Sequence, residues 1–274
     1  MSTIPASGHP EKAALFGLSQ VPAVDPRIEI SVVTPMFEEA GGAANLMREI
    51  ASALAGRRFE IIAVDDASRD DTASRLLCAM ADIPELRVLQ HSRNAGQSRA
   101  VRTGVLAARG AIIVTLDGDG QNDPTDIPLL LKELEGAKAP LLKMAAGERA
   151  KRQDSFAKKA ASRLANAIRS SLLGDGAADT GCGLKAFSRE AYLRLPYFDH
   201  GHRYLPALMR REGFEVSYVR VSHRPRAHGG SKYTNFGRLA VAFRDMLGVM
   251  WLIGRARSPE TVLELSQLVD RDTI

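Results

Sequence analysis

Four short apolar runs rich in β-branched residues recur through the first half of the chain: Ile28–Pro35 (IEISVVTP), Phe59–Asp66 (FEIIAVDD), Leu86–Ser92 (LRVLQHS) and Ala111–Asp117 (AIIVTLD). Each closes on polar residues, as a buried strand does where it runs out to solvent. Between them, Ala43–Leu54, Asp71–Ala81 and Gln97–Ala108 carry apolar residues at helical spacing. Strand and helix alternating in this way predict a mostly parallel α/β sheet covered by helices, with ligands beyond the carboxyl ends of the strands. The polar residues that end the four runs are therefore expected to converge on one crevice.

Those endings read PMFEE, DDASRDDT, RNAGQSRAVRTG and DGDGQNDP. The last sets Asp117, Asp119 and Asp123 within seven residues, where three carboxylates repel one another. Two readings compete: an acidic turn that caps a following helix near Asp126, or a cage for a divalent cation whose other ligands are phosphate oxygens. Any single ending is compatible with ordinary capping. Four of them in order at strand ends point to a nucleotide site.

Composition narrows the field. The chain has 274 residues, 45% of them apolar, enough for a substantial core. Cys78 and Cys182 form neither a disulfide framework nor a zinc pattern, which favours a reducing compartment and, for Cys182, a packing role. Residues 1–25 lack the basic start and apolar centre of a signal peptide and read as a flexible arm. No run of 18 apolar residues occurs, so no spanning helix is expected. The net charge of +5 conceals an asymmetry: from Lys143 to Arg257 there are 22 Lys and Arg against 9 Asp and Glu, and elsewhere 15 against 23. A basic half after an acidic cluster suits an anionic substrate brought to a bound metal. A nucleic-acid role is disfavoured, since no aromatic-rich RNA motif or finger occurs and the strand-end carboxylates repel phosphate.

The ordered segments SVVTPMFEEA, IIAVDDASRDDT, RNAGQSRAVRTGVLAARG and VTLDGDGQNDP resemble the family-2 glycosyltransferases with a GT-A fold, and later segments resemble their polyprenyl-phosphate branch, which includes dolichyl-phosphate mannose synthases. The resemblance runs from about Ile28 to Lys232 and implies a Rossmann-like, mostly parallel sheet flanked by helices. It implies a nucleotide site at Pro35, Phe37 and Glu39, with Glu38 and Phe37 standing where the family has Asn and Tyr. Asp65, Asp66 and Ser68 match the element whose carboxylate accepts from the base. Asp117 and Asp119 match the metal-binding Asp-x-Asp pair, and Gln121 a further metal-site position. Gly118 and Gly120 replace Ala and Leu, which is expected to loosen the loop. The implied cofactor is Mg²⁺ or Mn²⁺, held by hard carboxylate oxygens and offsetting charge on a UDP or GDP leaving group.

The same resemblance places Arg149 and Arg163 on the acceptor phosphate, with Arg152 a third candidate, since guanidinium groups pair bidentately with phosphate. Lys151, Lys158 and Lys159 read as a solvated or membrane-facing surface. DTGCGLKAFSRE resembles the stretch near the donor sugar, where Gly181 and Gly183 beside Asp179 allow close backbone approach. HRPRAHGGSKY resembles a phosphate-binding loop and implicates Arg224, Ser231 and Lys232, while His223 and His228 read as loop residues rather than metal ligands.

The implied reaction is inverting transfer of a sugar from a nucleotide sugar to a polyprenyl phosphate, yielding a lipid-linked donor for cell-envelope glycan or lipid modification. A phosphate acceptor is already an oxyanion and needs no general base. A hydroxyl acceptor would need one, with Asp123 or Asp179 as candidates, and a nucleotide-sugar binder without catalysis is a further alternative. FGRLAVAFRDMLGVMWLIGRAR holds an apolar stripe of Phe236, Leu239, Ala240, Phe243, Leu247, Met250, Trp251 and Gly254, flanked by Arg238, Arg244, Arg255 and Arg257. On periodicity it is balanced between a core helix and an interfacial one. The basic rim and Trp251 favour a protein peripheral on the inner face of the cytoplasmic membrane, with an integral-membrane partner or a homo-oligomer as possible company. The expected division is an arm over 1–25, a catalytic domain over 26–233 and C-terminal amphipathic helices over 234–274.

Overall fold

The computed structural model describes residues 21–136, 139–149, 169–177, 179–225 and 235–257, with side chains of the last stretch from residue 241 onward. The four predicted runs form strands β1 (Ile30–Met36), β2 (Phe59–Asp65), β3 (Leu86–Gln90) and β4 (Ile112–Thr115). Helices α1 (Ala43–Ala53), α2 (Thr72–Ala79) and α3 (Gln97–Ala107) connect them, within two residues of the bounds that periodicity predicts. After α4 (Ile127–Glu135) come β5 (Leu142–Arg149), β6 (Lys185–Ser188), α5 (Arg189–Arg194), α6 (Leu205–Arg211), β7 (Glu215–Val221) and α7 (Asn235–Gly254).

These strands make one seven-stranded sheet in the order β3-β2-β1-β4-β6-β5-β7. β1 lies parallel to both β2 and β4, with Ile30 opposite Phe59 on one side and Ile112 on the other. β6 runs antiparallel to β4 and β5. The period of two along each strand sorts side chains between two cores. Val32 and Ile61 face a cluster completed by Leu46, Met47 and Ile50 of α1, Leu76 of α2 and Leu130 of α4. Val33 and Ile62 face the opposite cluster, with Val101 and Val105 of α3, Tyr192 of α5, Leu208 of α6 and Val249 of α7. The result is a three-layer sandwich.

The chain adds β2 and β3 on one side of β1, then crosses to the other side for β4. The direction of winding reverses between β1 and β4, and a crevice opens where the loops beyond the two strand ends part. Pro35 near the end of β1 and Asp117 just past β4 flank that crevice.

α7 packs one face into the core and leaves the other exposed. Val249 is fully buried, and Met246, Met250, Leu252 and Ile253 pack against the α3 side of the sheet. The other face exposes Phe243 (57%), Leu247 (48%) and Trp251 (63%), one turn apart. The helix is fastened by three polar contacts: Tyr204 Oη donates to Ala242 O at 3.1 Å, Arg211 Nε to Leu252 O at 3.0 Å, and His200 Nδ1 meets Asp245 Oδ2 at 3.0 Å.

Candidate active site

The turn after β4 brings Asp117 and Asp119 together and braces them from behind. Asp117 N donates to Asn122 Oδ1 at 3.3 Å, and Asp119 Oδ1 accepts from Gln121 N at 3.1 Å. Gln97, at the start of α3, donates from Nε2 to Asp117 Oδ1 at 2.7 Å. Burial, reinforced by the Asp119 carboxylate, pushes Asp117 up to about 6, against the pull of Lys185 and Arg149. Lys185 is itself buried on β6, where burial lowers its ammonium below the usual range and its Nζ donates to Cys182 O.

Two glycines make this packing possible by close approach. A Cβ on Gly183 would lie 2.3 Å from Asp117 Cγ, and one on Gly118 would lie 2.6 Å from Pro35 O and Met36 Sδ. The expectation that Gly118 loosens its loop is thus corrected: its missing side chain lets the acidic turn press against the end of β1. Gly181 does the same for Arg149, whose Nη2 would stand 2.9 Å from an added Cβ.

A cleft continues past Asp117 toward β6 and α6, and Pro35, Gln97, Asp117, Gly183, Lys185 and His202 are among its walls. His202, on the 3₁₀ turn Gly201–Arg203, was not marked by any motif. Gln97 and Lys185 lie inside RNAGQSRAVRTG and DTGCGLKAFSRE, yet the chemistry they supply depends on which strand ends meet.

The predicted nucleotide residues form a braced loop pair. Glu38 N donates to Ser68 Oγ at 2.8 Å and Glu39 N to Thr72 Oγ1 at 2.9 Å, tying PMFEE to DDASRDDT. Both loops hold a non-glycine residue at positive φ, Glu38 at 54° and Ala67 at 61°. The family's Asn in place of Glu38 is the residue type that tolerates this conformation best. Phe37 is half-buried. Asp65 is fully buried and accepts from Gln90 Nε2 at 2.8 Å, from Ser68 N at 3.2 Å and from Ser68 Oγ. Asp66 accepts from Ala95 N and Gly96 N, each at 2.8 Å, and meets His91 Nδ1 at 2.6 Å. Both carboxylates thus brace the loops at the ends of β2 and β3, and their remaining acceptor capacity is what a base would meet.

The cations are similarly engaged. Arg149 pairs bidentately with Asp179, Nε to Oδ2 at 2.6 Å and Nη2 to Oδ1 at 2.7 Å, and that bonding raises its basicity. Arg224 reaches Glu49 Oε2 at 2.5 Å and Asp123 Oδ1 at 2.7 Å, two carboxylates that hold its guanidinium in place. Asp123 also accepts from Thr125 N at 3.0 Å as the cap of the 3₁₀ turn Pro124–Asp126, which separates it from the Asp117 and Asp119 pair. His223 bridges to Asn122 in backbone pairing. Cys182 is buried, and burial pushes its thiol up, as a packing residue requires. Arg152, Arg163, Ser231, Lys232 and His228, with Lys151, Lys158 and Lys159, lie outside the described residues.

A nucleotide crevice at a sheet switch point, floored by a paired-carboxylate turn and closed by antiparallel β6, defines the GT-A class of α/β fold. The likeness to solved structures agrees: glucosyl-3-phosphoglycerate synthase from Mycobacterium tuberculosis, determined with Mn²⁺, UDP and glucosyl-3-phosphoglycerate, matches with a TM-score of 0.63 at 18% identity, covering 91% of this chain and 87% of that one. The family model described as Glycosyl transferase family 2 matches residues 31–195, and the chain belongs to that family. Among curated relatives, dodecaprenyl-phosphate galacturonate synthase of Rhizobium johnstonii is 34% identical over 233 residues, which are 82% of this chain and 68% of the relative. Undecaprenyl-phosphate 4-deoxy-4-formamido-L-arabinose transferase of Pseudomonas aeruginosa is 34% identical over 217 residues. That match covers 78% of this chain and 63% of the relative, so the chain spans under two thirds of the arabinose transferase's length.

Proposed function

We propose that the protein transfers a sugar, with inversion, from a nucleoside-diphosphate sugar to a polyprenyl phosphate. The observation that carries this reading is the Asp117 and Asp119 pair at the β1–β4 crevice. Burial and mutual repulsion hold Asp117 at about 6, so the pair gains from a positively charged partner. Among the described residues no group of three or more His, Cys, Asp and Glu gathers as a metal cage. A set of two hard carboxylates fits Mg²⁺ or Mn²⁺ whose remaining positions go to phosphate oxygens, with Gln121 as an additional candidate ligand. When bound, the ion supplies charge to offset the departing diphosphate.

The protein's own residues do the rest. Pro35 and the braced loops after β1 and β2 offer a platform for the nucleoside, and Gln97 orients the Asp117 carboxylate. Arg149, oriented by Asp179, sits on the acceptor side, where Arg152, Arg163, Ser231 and Lys232 complete the proposed phosphate contacts. A phosphate acceptor is favoured over a hydroxyl by a specific observation: the two candidate bases, Asp123 and Asp179, are both ion-paired to arginine. The names of the curated relatives support a lipid-phosphate acceptor of the same kind.

The exposed Phe243, Leu247 and Trp251 stripe, with Arg244 and Arg255 beside it, supports peripheral attachment to the inner face of the cytoplasmic membrane. Among the described residues no helix is long and apolar enough to cross a membrane. The test of function is incubation with undecaprenyl phosphate and radiolabelled UDP-galacturonic acid, UDP-glucose or GDP-mannose. Label is expected to pass into the organic phase with one donor and to stop doing so in EDTA. Transfer undiminished by EDTA and by Asp119→Asn would overturn the metal assignment.

A further inference from the structure

His202, on the wall of the cleft beyond Asp117, is a polar side chain that the proposed transfer leaves without a role. Ser98, in the first turn of α3, is almost fully buried. Its hydroxyl accepts from His202 N at 3.3 Å and lies 2.6 Å from His202 Nδ1. A serine hydroxyl has one proton, and among the described residues Ser98 Oγ has no partner other than His202. With His202 N already donating to Ser98 Oγ, the arrangement that uses this proton sends it to Nδ1, which is then the unprotonated ring nitrogen. The hydrogen of the neutral imidazole is left on Nε2, which has no partner among the described residues. Burial, with Arg203, Lys185 and His200 nearby, holds His202 well below its ordinary range, so the ring stays neutral.

The position of the cleft in the sheet says what that donor meets. The loops after β2 and β1 lie on one side of Asp117, and Gly183, Lys185 and His202 lie on the other, toward β6 and α6. A nucleotide sugar laid across the strand ends, with its diphosphate at Asp117 and Asp119 and its base on the β1–β2 side, directs its sugar into the cleft. We infer that His202 is a specificity-determining residue that donates from Nε2–H to an oxygen of the transferred sugar, with Ser98 fixing the tautomer. This rests on the nucleotide-sugar reading above.

Two near-isosteric substitutions separate this role from a structural one. His202→Gln can place an amide N–H where Nε2 stands, and loses the bond to Ser98. His202→Asn can keep the Ser98 bond and loses the cleft donor. With the nucleotide sugar that the wild type turns over fastest among UDP-galacturonic acid, UDP-glucose and GDP-mannose, His202→Asn should lose roughly three- to tenfold in kcat/KM, the range of one neutral hydrogen bond. His202→Gln should stay near the wild type, and affinity for UDP or GDP alone should be unchanged in both. Asn performing as well as Gln, or a loss that falls on the KM for lipid phosphate, would overturn the assignment. A second measurement avoids variants altogether: ¹⁵N-histidine spectra of the wild-type protein should show Nδ1 unprotonated at His202, with Nε2 shifting on addition of the nucleotide sugar and not of the nucleoside diphosphate. Protonated Nδ1, or no shift while the sugar nucleotide demonstrably binds, overturns this inference alone. Failure of the wild type to bind any of the three donors overturns the functional reading and the inference together.

Discussion

Replacing Gly183 by Ala puts a methyl group into the space that Asp117 occupies. The added Cβ would stand 2.3 Å from Asp117 Cγ and Oδ2 and 2.5 Å from Oδ1, whereas ordinary contact begins at 3.4 Å. About 1 Å of displacement is needed, and neither side yields easily. Gly183 O accepts from Thr115 Oγ1 at 2.9 Å, and the Asp117 carboxylate is held by Gln97 at 2.7 Å. Overpacking of this kind costs about 1–3 kcal/mol. At roughly 2–4 °C per kcal/mol for a chain of this size, the melting temperature should fall by about 2–12 °C. The functional loss should be larger, because a shift near 1 Å at a reacting site costs on the order of a hundredfold in rate. Differential scanning fluorimetry and the organic-phase transfer assay measure the two effects. Gly248→Ala is the control: its Cβ meets nothing within 4 Å on the exposed side of α7, so stability should hold or rise and transfer should persist. Gly183→Ala with wild-type melting and wild-type turnover would refute the claim that this glycine makes room for the Asp117 carboxylate.

Asp117 also sets a pH dependence. Its folded value of about 6 lies above its ordinary 3.8, so its contribution to stability is fully present below 3.8 and is lost as the pH rises through 6. At about 1.4 kcal/mol per pH unit the gap is worth at most roughly 3 kcal/mol. In EDTA, wild-type melting should therefore drop between about pH 4 and about pH 7 relative to Asp117→Asn, and parallel curves for the two would contradict the assignment. For membrane attachment, co-sedimentation with anionic liposomes should fall with salt without vanishing and should drop sharply in Phe243→Ser/Trp251→Ser. Retention of full binding by a folded double variant would remove α7 from the interface.

The parallel half of the sheet was legible because its strands concentrate β-branched residues and end in charge. The other half was not. β5 reads LKMAAGER, without a β-branched residue, and β6 is four residues long and takes its place from pairing with β4 and β5. At the site, the carboxylate pair Asp117 and Asp119 stood out because the repulsion is local. What occupies a carboxylate is set by donors far away in sequence, and those no spacing shows. Asp66 is filled by amides from Ala95 and Gly96, and Arg224 by Glu49, 175 residues distant. His202 carried no motif because its partner is Ser98 on another helix, and a histidine between Gly201 and Arg203 looks like any loop residue until the two meet.

The same stretch of chain that supplies His202 also fastens the proposed membrane helix. His200 meets Asp245, and Tyr204 meets Ala242, two residues to either side of the cleft wall. Phe198 and Tyr204 pack ring against ring beneath it, with centroids 6.2 Å apart. On the proposed reading, a lipid acceptor must keep its hydrocarbon in the bilayer while its phosphate reaches the anomeric carbon beside Asp117. A surface that floated on a flexible linker would let that distance vary, and much of the advantage of orientation would be lost. On that reading, a helix with one face on the α3 core and the other exposed would instead fix the height of the cleft above the bilayer. α7 places Val249, Met246 and Met250 on the core and leaves Trp251 outside, the arrangement that a helix rigid with respect to the site and apolar toward a membrane would need.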